Sequence, residues 1–190
     1  MAERQKNMRE VLLLAGIEEI NTQGAAGFSI RRVAQRCNVS CAAPYKHFKD
    51  KREFIAAIIG YVNDQWAQRQ QEVLARCGES YREQILEVCI GYVRFLMEKP
   101  YFRSILMLKD EEFDNIYHKT RGQMSSRSQR LEADFFASTG WPEAVCRRKL
   151  HLVRAMLFGT VFMYDTGEIE YNEQTIGNLR AIIDREFDLP

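Results

Sequence analysis

The sequence predicts an all-α fold of about nine helices, with an N-terminal three-helix module followed by a larger helical region. Three observations predict it. Every substantial segment repeats apolar side chains at helical spacing, and none alternates strictly as a half-buried strand would. The stretch from Ser29 to Phe54, SIRRVAQRCNVSCAAPYKHFKDKREF, reads as two short helices in a tight turn followed at once by the start of a third. Gly or Pro stands where the periodic runs end, at Gly24, Gly78, Pro100, Gly140 to Pro142 and Gly167.

The first helix occupies residues 4 to 23. Met8, Leu12, Ala15 and Ile20 share one arc, and Leu13, Leu14 and Ile17 widen it, so helices should cover it on more than one side. Ser29 caps a helix of about two turns. Phe28 and Val33 stand at hydrophobic-staple spacing around that cap, and Ile30, Val33, Ala34 and Cys37 form one apolar face. Asn38 can take the left-handed conformation that ends such a helix, Val39 supplies a small apolar plug, and Ser40 caps a second helix near 41 to 47. Asp50 with Glu53 makes a capping box for the next helix, which runs from Lys51 to about Cys77 through Phe54, Ile55, Ile58, Ile59, Val62 and Trp66. Five more are predicted near 80 to 98, 101 to 109, 111 to 138, 142 to 165 and 172 to 187, with Pro142 at a first helical position. The expected domains are residues 1 to 54 and 55 to 190, joined by the helix that leaves the module.

A helix, a short turn and a helix is a DNA-reading unit. The second helix opens with Cys41, Ala42 and Ala43, small enough to approach base edges in a major groove. Alanine can touch only a thymine methyl there, whereas Lys46 can donate to guanine O6 and N7 or hold a phosphate. Pro44 removes one early helical hydrogen bond, and it either offers a rigid apolar contact to a thymine methyl, changes the helix tilt, or is simply tolerated. Arg31 and Arg32 lie in the first turn after Ser29, where one can reach a phosphate or both stay solvated. An N-terminal arm bearing Arg4 and Lys6 is a further candidate for the minor groove. The positive N-terminal end of the helix beginning at Lys51 suits a phosphate.

Within VAQRCNVSCAAPYKHFKDKREF, the residues Val33, Ala34, Val39, Ser40, Tyr45, His47, Phe48 and Lys51 follow in an order similar to the signature of the tetracycline-repressor (TetR) family. That signature has an aliphatic-Ala pair, a Val-Ser turn, a Tyr-x-x-Phe and a Lys. With the preceding helix, the resemblance covers residues 8 to 60. It implies a transcriptional regulator. Tyr45 and Lys51 match positions at which the family contacts the DNA backbone, Ser29 and His47 are placed to join them, and Phe48 belongs to the core. Pro44 departs from the commoner family pattern, which has an aliphatic residue there. The resemblance also implies that the last two helices pair with their symmetry mates in a four-helix dimer interface. Here that interface would use Ala155, Gly159 and Phe162 on the first helix and Ile176, Leu179 and Ile183 on the second. The alternative is that both helices close a monomer core. A single reading helix needs a two-fold partner to reach a palindromic operator, which agrees with the dimer. The implied function is a homodimeric repressor of double-stranded operator DNA, released by a small-molecule effector.

The larger region holds Trp66, Tyr92, Phe95, Met107, Tyr117, Met124 and Phe158, which are either plain core or the lining of a largely apolar effector pocket. His151 and Arg154 are the candidate polar hooks, although an arginine there also suits a salt bridge. No cofactor is implied. Cys37 and Cys41 lie near His47, but no C-x-x-C or H-x-x-x-H pair accompanies them, so no metal site is expected.

Charge supports the division of labour. The whole chain is close to neutral at +1, yet residues 1 to 54 carry 10 basic and 6 acidic side chains, against 17 and 20 in the remainder. The excess positive charge sits where phosphate contact is expected. With 46% hydrophobic and 28% charged residues, the composition is that of an ordinary globule. The polar start and the lack of a long apolar run argue for a cytoplasmic protein with no membrane partner. Five cysteines at irregular spacing point to reduced thiols. An enzyme using His118, His151 or a cysteine lacks any nucleophile, base and orienting set, so no enzymatic activity is expected. A regulator controlled by a protein partner in place of a ligand is the alternative kept open.

Overall fold

The computed structural model describes residues 2–106 and 128–188, and all regular structure among them is helical. The helices are α1 (Ala2–Gln23), α2 (Ile30–Arg36), α3 (Lys51–Leu74), α4 (Tyr81–Glu98), α5 (Pro100–Leu106), α6 (128–139), α7 (Glu143–Thr166) and α8 (Glu173–Glu186). A 3₁₀ turn at Pro44–Lys46 stands where a second reading helix was expected. Residues 111 to 127 of the helix predicted at 111 to 138 lie outside the described residues. Because α1 is already helical from Ala2, residues 4 and 6 form no extended N-terminal arm.

Two compact units divide the chain. The first contains residues up to Gln65 together with α5, so its border falls inside α3 and not at the 54/55 position expected from sequence. Its core is built on Leu12, Leu13, Ile17 and Ile20 of α1, Phe28, Val33, Ala34 and Phe48, and Phe54, Ile55 and Ile58 of α3. Phe48 stacks on Phe54 with ring centroids 4.0 Å apart and planes within 10°, and Phe28 meets the edge of Phe54 at 5.3 Å. Such pairs add roughly 0.5–1.5 kcal/mol each to the area they bury. At Gly16 an added Cβ would lie 2.7 Å from Cδ1 of Ile58 and 3.2 Å from Cε2 of Phe54, so α1 approaches α3 closely only because that residue has no side chain. On α5, Phe102 and Ile105 are buried, with Phe102 edge-on to Tyr61.

The second unit contains the end of α3, α4 and residues from α6 onward. Helix α4 buries Ile85, Leu86, Val88, Cys89, Ile90, Val93, Phe95 and Leu96, nearly its full circumference, and so forms the centre of this unit. Helix α8 lays a single apolar stripe, Ile176, Leu179 and Ile183, continued by Phe187 just beyond it, against that centre. Its start is fixed by a reciprocal capping box: Asn172 Oδ1 accepts from the Thr175 amide, and the Thr175 hydroxyl accepts from the Asn172 amide. Ion pairs run along the α4–α8 seam, with Arg82 on Asp184 and Asp188, Arg94 on Glu173, and Arg180 on Glu87. Most of these groups are more than one-third exposed, so they set register more than they add stability.

The burial of Ile176, Leu179 and Ile183 corrects the expectation that these residues face a symmetry mate. Helix α8 has only one apolar stripe, and the protomer uses it. Helix α7 differs. It buries Lys149, Val153, Leu157, Thr160, Val161 and Tyr164 on one side. Ala155 and Phe162 are exposed on the other and Gly159 is half-buried, with Leu152 and Phe158 also outward. On α8, Ile182 is the large apolar side chain left exposed.

Candidate nucleic-acid interface

The module's turn follows from its residues. Ser29 has extended backbone and its hydroxyl accepts from the Arg32 amide at 3.4 Å, so α2 starts where the cap predicts. At the other end, Asn38 has φ +53°, the one positive φ of a non-glycine among the described residues. The Val39 amide donates to the Ala34 carbonyl at 3.0 Å and the Asn38 amide to Gln35 at 3.0 Å, the pair of bonds of a Schellman motif. A short asparagine tolerates the left-handed conformation that a branched side chain would strain.

After Ser40 the chain departs from expectation. A helix capped there would draw its first i→i+4 bond from residue 44, but Pro44 has no amide hydrogen. The structure instead closes a tight turn with the Ala43 amide on Ser40 O at 2.9 Å, then a 3₁₀ turn with the His47 amide on Pro44 O at 2.9 Å. Pro44 is buried, which removes it from the candidate contact surface.

The outward side of the turn presents Ser40, Cys41, Ala42, Tyr45 and Lys46, all exposed, with Ala43 and His47 half-buried. Tyr45 is 57% exposed although nothing about its ring demands it, and Arg31 is exposed and makes no ion pair among the described residues. Arg32 is different: its guanidinium donates to Glu19 Oε1 at 2.6 Å and to the Gly27 carbonyl. Lys51 donates to the Ala26 carbonyl at 3.1 Å and so ties the start of α3 to the loop after α1. The predicted cap of α3 is present. Asp50 Oδ1 accepts from the Glu53 amide at 2.9 Å, and Glu53 in turn accepts from Lys49, one residue outside the usual partner. What the surface offers is a small-residue edge flanked by a phenol, an ammonium and a guanidinium, the donors that hold phosphate and sugar.

In the second unit, Trp66, Tyr92, Phe95 and Phe158 come together. Trp66 meets Tyr92 edge-on at 4.9 Å and Phe95 at 5.4 Å, and Tyr92 meets Phe158 edge-on at 6.2 Å. Trp66 and Phe95 are buried, while Phe158 is exposed on its outer side. His151 does not join them. It stands two residues from the buried Lys149 and Val153, on the opposite side of α7, and is exposed. Arg154 is also outward and pairs with Glu132 at 3.2 Å, the salt bridge that sequence left as the alternative. Met107, Tyr117 and Met124 lie outside the described residues. Sequence reasoning missed Glu132, whose carboxyl burial pushes up against the opposing pull of Arg154, and Gln70, which is buried and donates to the Ser128 hydroxyl at 3.3 Å. It also missed Glu19, although a carboxylate seven residues after Leu12 on the same apolar stripe was a visible signal. Among the described residues, no three His, Cys, Asp or Glu side chains group as a metal site, and no helix is long and apolar enough to cross a membrane.

Residues 12–58 match the family described as bacterial regulatory proteins, tetR family. The fold matches solved structures over nearly the whole chain. A TetR family transcription regulator from Marinobacter aquaeolei VT8 superposes with a TM-score of 0.77 at 19% identity, covering 98% of each chain. The transcriptional regulator FadR from Bacillus subtilis, solved in complex with stearoyl-CoA, gives 0.72 at 14% identity, covering 95% of this chain and 96% of that one. A transcriptional regulator from Aquifex aeolicus VF5 gives 0.66 at 20% identity, covering 95% and 97%. No curated protein matches the sequence. The matched segment holds the whole turn just described, and over it the chain is similar to the tetR family of bacterial regulatory proteins.

Proposed function

We propose that the protein is a homodimeric repressor that binds a palindromic operator through the surface of Arg31, Ser40, Cys41, Ala42, Ala43, Tyr45 and Lys46, and is released by a largely apolar small molecule. The observation that carries the DNA half is the turn itself. Its apolar members, Pro44 and Phe48, are buried, while Ser40, Cys41, Ala42, Tyr45 and Lys46 are exposed. Tyr45 and Lys46 hold phosphate, with Ser29 and His47 at the margin, and the Cys41–Ala43 edge approaches the bases. Lys51 acts from behind, by fixing the loop at Ala26.

The dimer half rests on α7. Leu152, Ala155, Gly159 and Phe162 lie along one side of α7 as an apolar strip that one protomer leaves largely uncovered, and Ile182 of α8 is also exposed. A two-fold partner supplies the second reading turn that a palindromic operator requires. The effector half rests on the aromatic group of Trp66, Tyr92, Phe95 and Phe158, and on the likeness of fold to a regulator solved with stearoyl-CoA. Helix α3 begins in the DNA-reading unit and ends in the unit holding those rings, so an effector that prefers one tilt of α3 lowers operator affinity by its differential affinity for the two tilts.

Selection of bound duplexes from a random library tests this reading. The expected result is a palindrome whose half-sites are a whole number of helical turns apart. Enrichment of no sequence, or of one lacking two-fold symmetry, overturns it.

A further inference from the structure

We infer that Glu19 is a specificity-determining residue for DNA binding: it withdraws Arg32 of α2 from the phosphates, so that Arg31 is the one arginine of that helix's first turn free to hold DNA. The inference rests on the DNA-reading role proposed above. Helix α2 carries three arginines, Arg31, Arg32 and Arg36, and such a cluster would bind any duplex through its charge. The first unit places a carboxylate beneath two of them. The Glu19 side chain has no exposure at all, while the Arg32 side chain remains 47% exposed. Arg32 Nε donates to Glu19 Oε1 at 2.6 Å, and the same guanidinium donates to the Gly27 carbonyl. Arg36 reaches toward Glu19 Oε2 at 3.6 Å and Glu18 at 3.4 Å.

A buried carboxylate is an expensive way to hold two helices together, since apolar residues of similar volume often do so as well. Glu19 lies on the stripe of Leu12 and Gly16, where an aliphatic side chain would pack against the α2 face. Its second oxygen, Oε2, accepts no hydrogen bond among the described residues. The site is therefore under-used as a structural clamp but well placed as a charge partner. Residues 32 and 36 lie one turn apart and both point to α1, while residue 31 points about 100° away. Among the described residues, the pairing divides the helix into a neutralised side and a single cation without an ion pair.

The test uses the full-length protein and a 30-base-pair duplex of mixed sequence, with affinity measured by fluorescence anisotropy from 50 to 200 mM salt. Glu19→Gln keeps the shape and removes the charge. It should bind this duplex more tightly at low salt and steepen log K against log salt by about 0.9, the contribution of one added phosphate contact. Across that salt range the affinity should then fall about threefold more than for wild type. Arg32→Gln alone should leave the wild-type slope unchanged, and Glu19→Gln with Arg32→Gln should return to it. The inference is overturned if Arg32→Gln alone flattens the slope by about one contact, because Arg32 then reaches phosphate despite Glu19. It is equally overturned if Glu19→Gln melts as wild type but binds more weakly with an unaltered slope. Should Glu19→Gln fail to fold, the Arg32→Gln result decides alone. Loss of salt-dependent duplex binding in the wild type would instead remove the DNA-reading role itself.

Discussion

Phe162 and Ile183 separate a proposed dimer surface from a protomer core. Phe162 is 63% exposed on α7, whereas Ile183 is completely buried on α8. Full burial of a phenylalanine is worth roughly 1.5–3 kcal/mol, so covering the exposed part contributes about 1–2 kcal/mol per copy. A two-fold interface counts each residue twice. Phe162→Ser should therefore weaken dimerisation by about 2–4 kcal/mol, roughly 30- to 700-fold in dissociation constant, with little change in the protomer's own stability. Ile183→Ala should do the reverse, costing about 2–5 kcal/mol of folding stability through the cavity it leaves. Sedimentation equilibrium at several concentrations reads the first effect, and urea unfolding reads the second. A Phe162→Ser protein that remains dimeric at wild-type concentrations would refute the assignment of this strip, and a fully folded Ile183→Ala that dissociates would return the interface to the α8 stripe.

Three further outcomes follow from local geometry. At Asn38, with φ +53°, replacement by Gly should be neutral or slightly stabilising, while Val should cost on the order of 1–2 kcal/mol; equal urea midpoints for the two would show that the left-handed turn is not present. Burial raises the Glu132 carboxyl above the ordinary glutamate value, so the folded state holds that proton more tightly than the unfolded chain does. Its contribution to stability is thus most favourable below the unfolded value and declines as pH rises through the folded one. Compared with wild type, Glu132→Gln should gain relative stability across that interval, and a wild-type advantage that grows with pH would contradict the sign. Among the cysteines, Cys41 is exposed, whereas Cys89 is buried with its thiol pushed up to about 12. Mass spectrometry after brief alkylation should find Cys41 modified and Cys89 intact until urea is added, with duplex DNA slowing the Cys41 reaction.

Much of the reading module was legible because its signals are local. The Ser29 cap, the left-handed Asn38 and the Asp50–Glu53 pair each depend on residues within four positions, and each is present. The helix expected at 41 to 47 is absent for an equally local reason. A proline at the fourth position removes the first helical hydrogen bond in a segment only seven residues long, with too few other bonds to carry the helix past it. The errors in the larger region have a different source. The spacing of Ile176, Leu179 and Ile183 shows that α8 has an apolar stripe, but periodicity does not say whether the covering surface belongs to the same protomer or another. His151 was misplaced for a similar reason, since apolar neighbours in sequence are not neighbours on a helix face. Glu19 is the opposite case: a charge within an apolar stripe, whose partner Arg32 lies thirteen residues away and is not marked by any local pattern.

The central claim is that the outward side of the turn at Ser40 to Lys46 holds DNA, and a mobility shift on the DNA flanking the protein's own gene tests it most directly. Wild type, Tyr45→Phe and Lys46→Gln are compared at several salt concentrations. The account predicts a competitor-resistant complex that both substitutions weaken, with Lys46→Gln also flattening the salt dependence by about one phosphate contact. Binding that is indifferent to both substitutions would place the DNA on another surface and contradict the account.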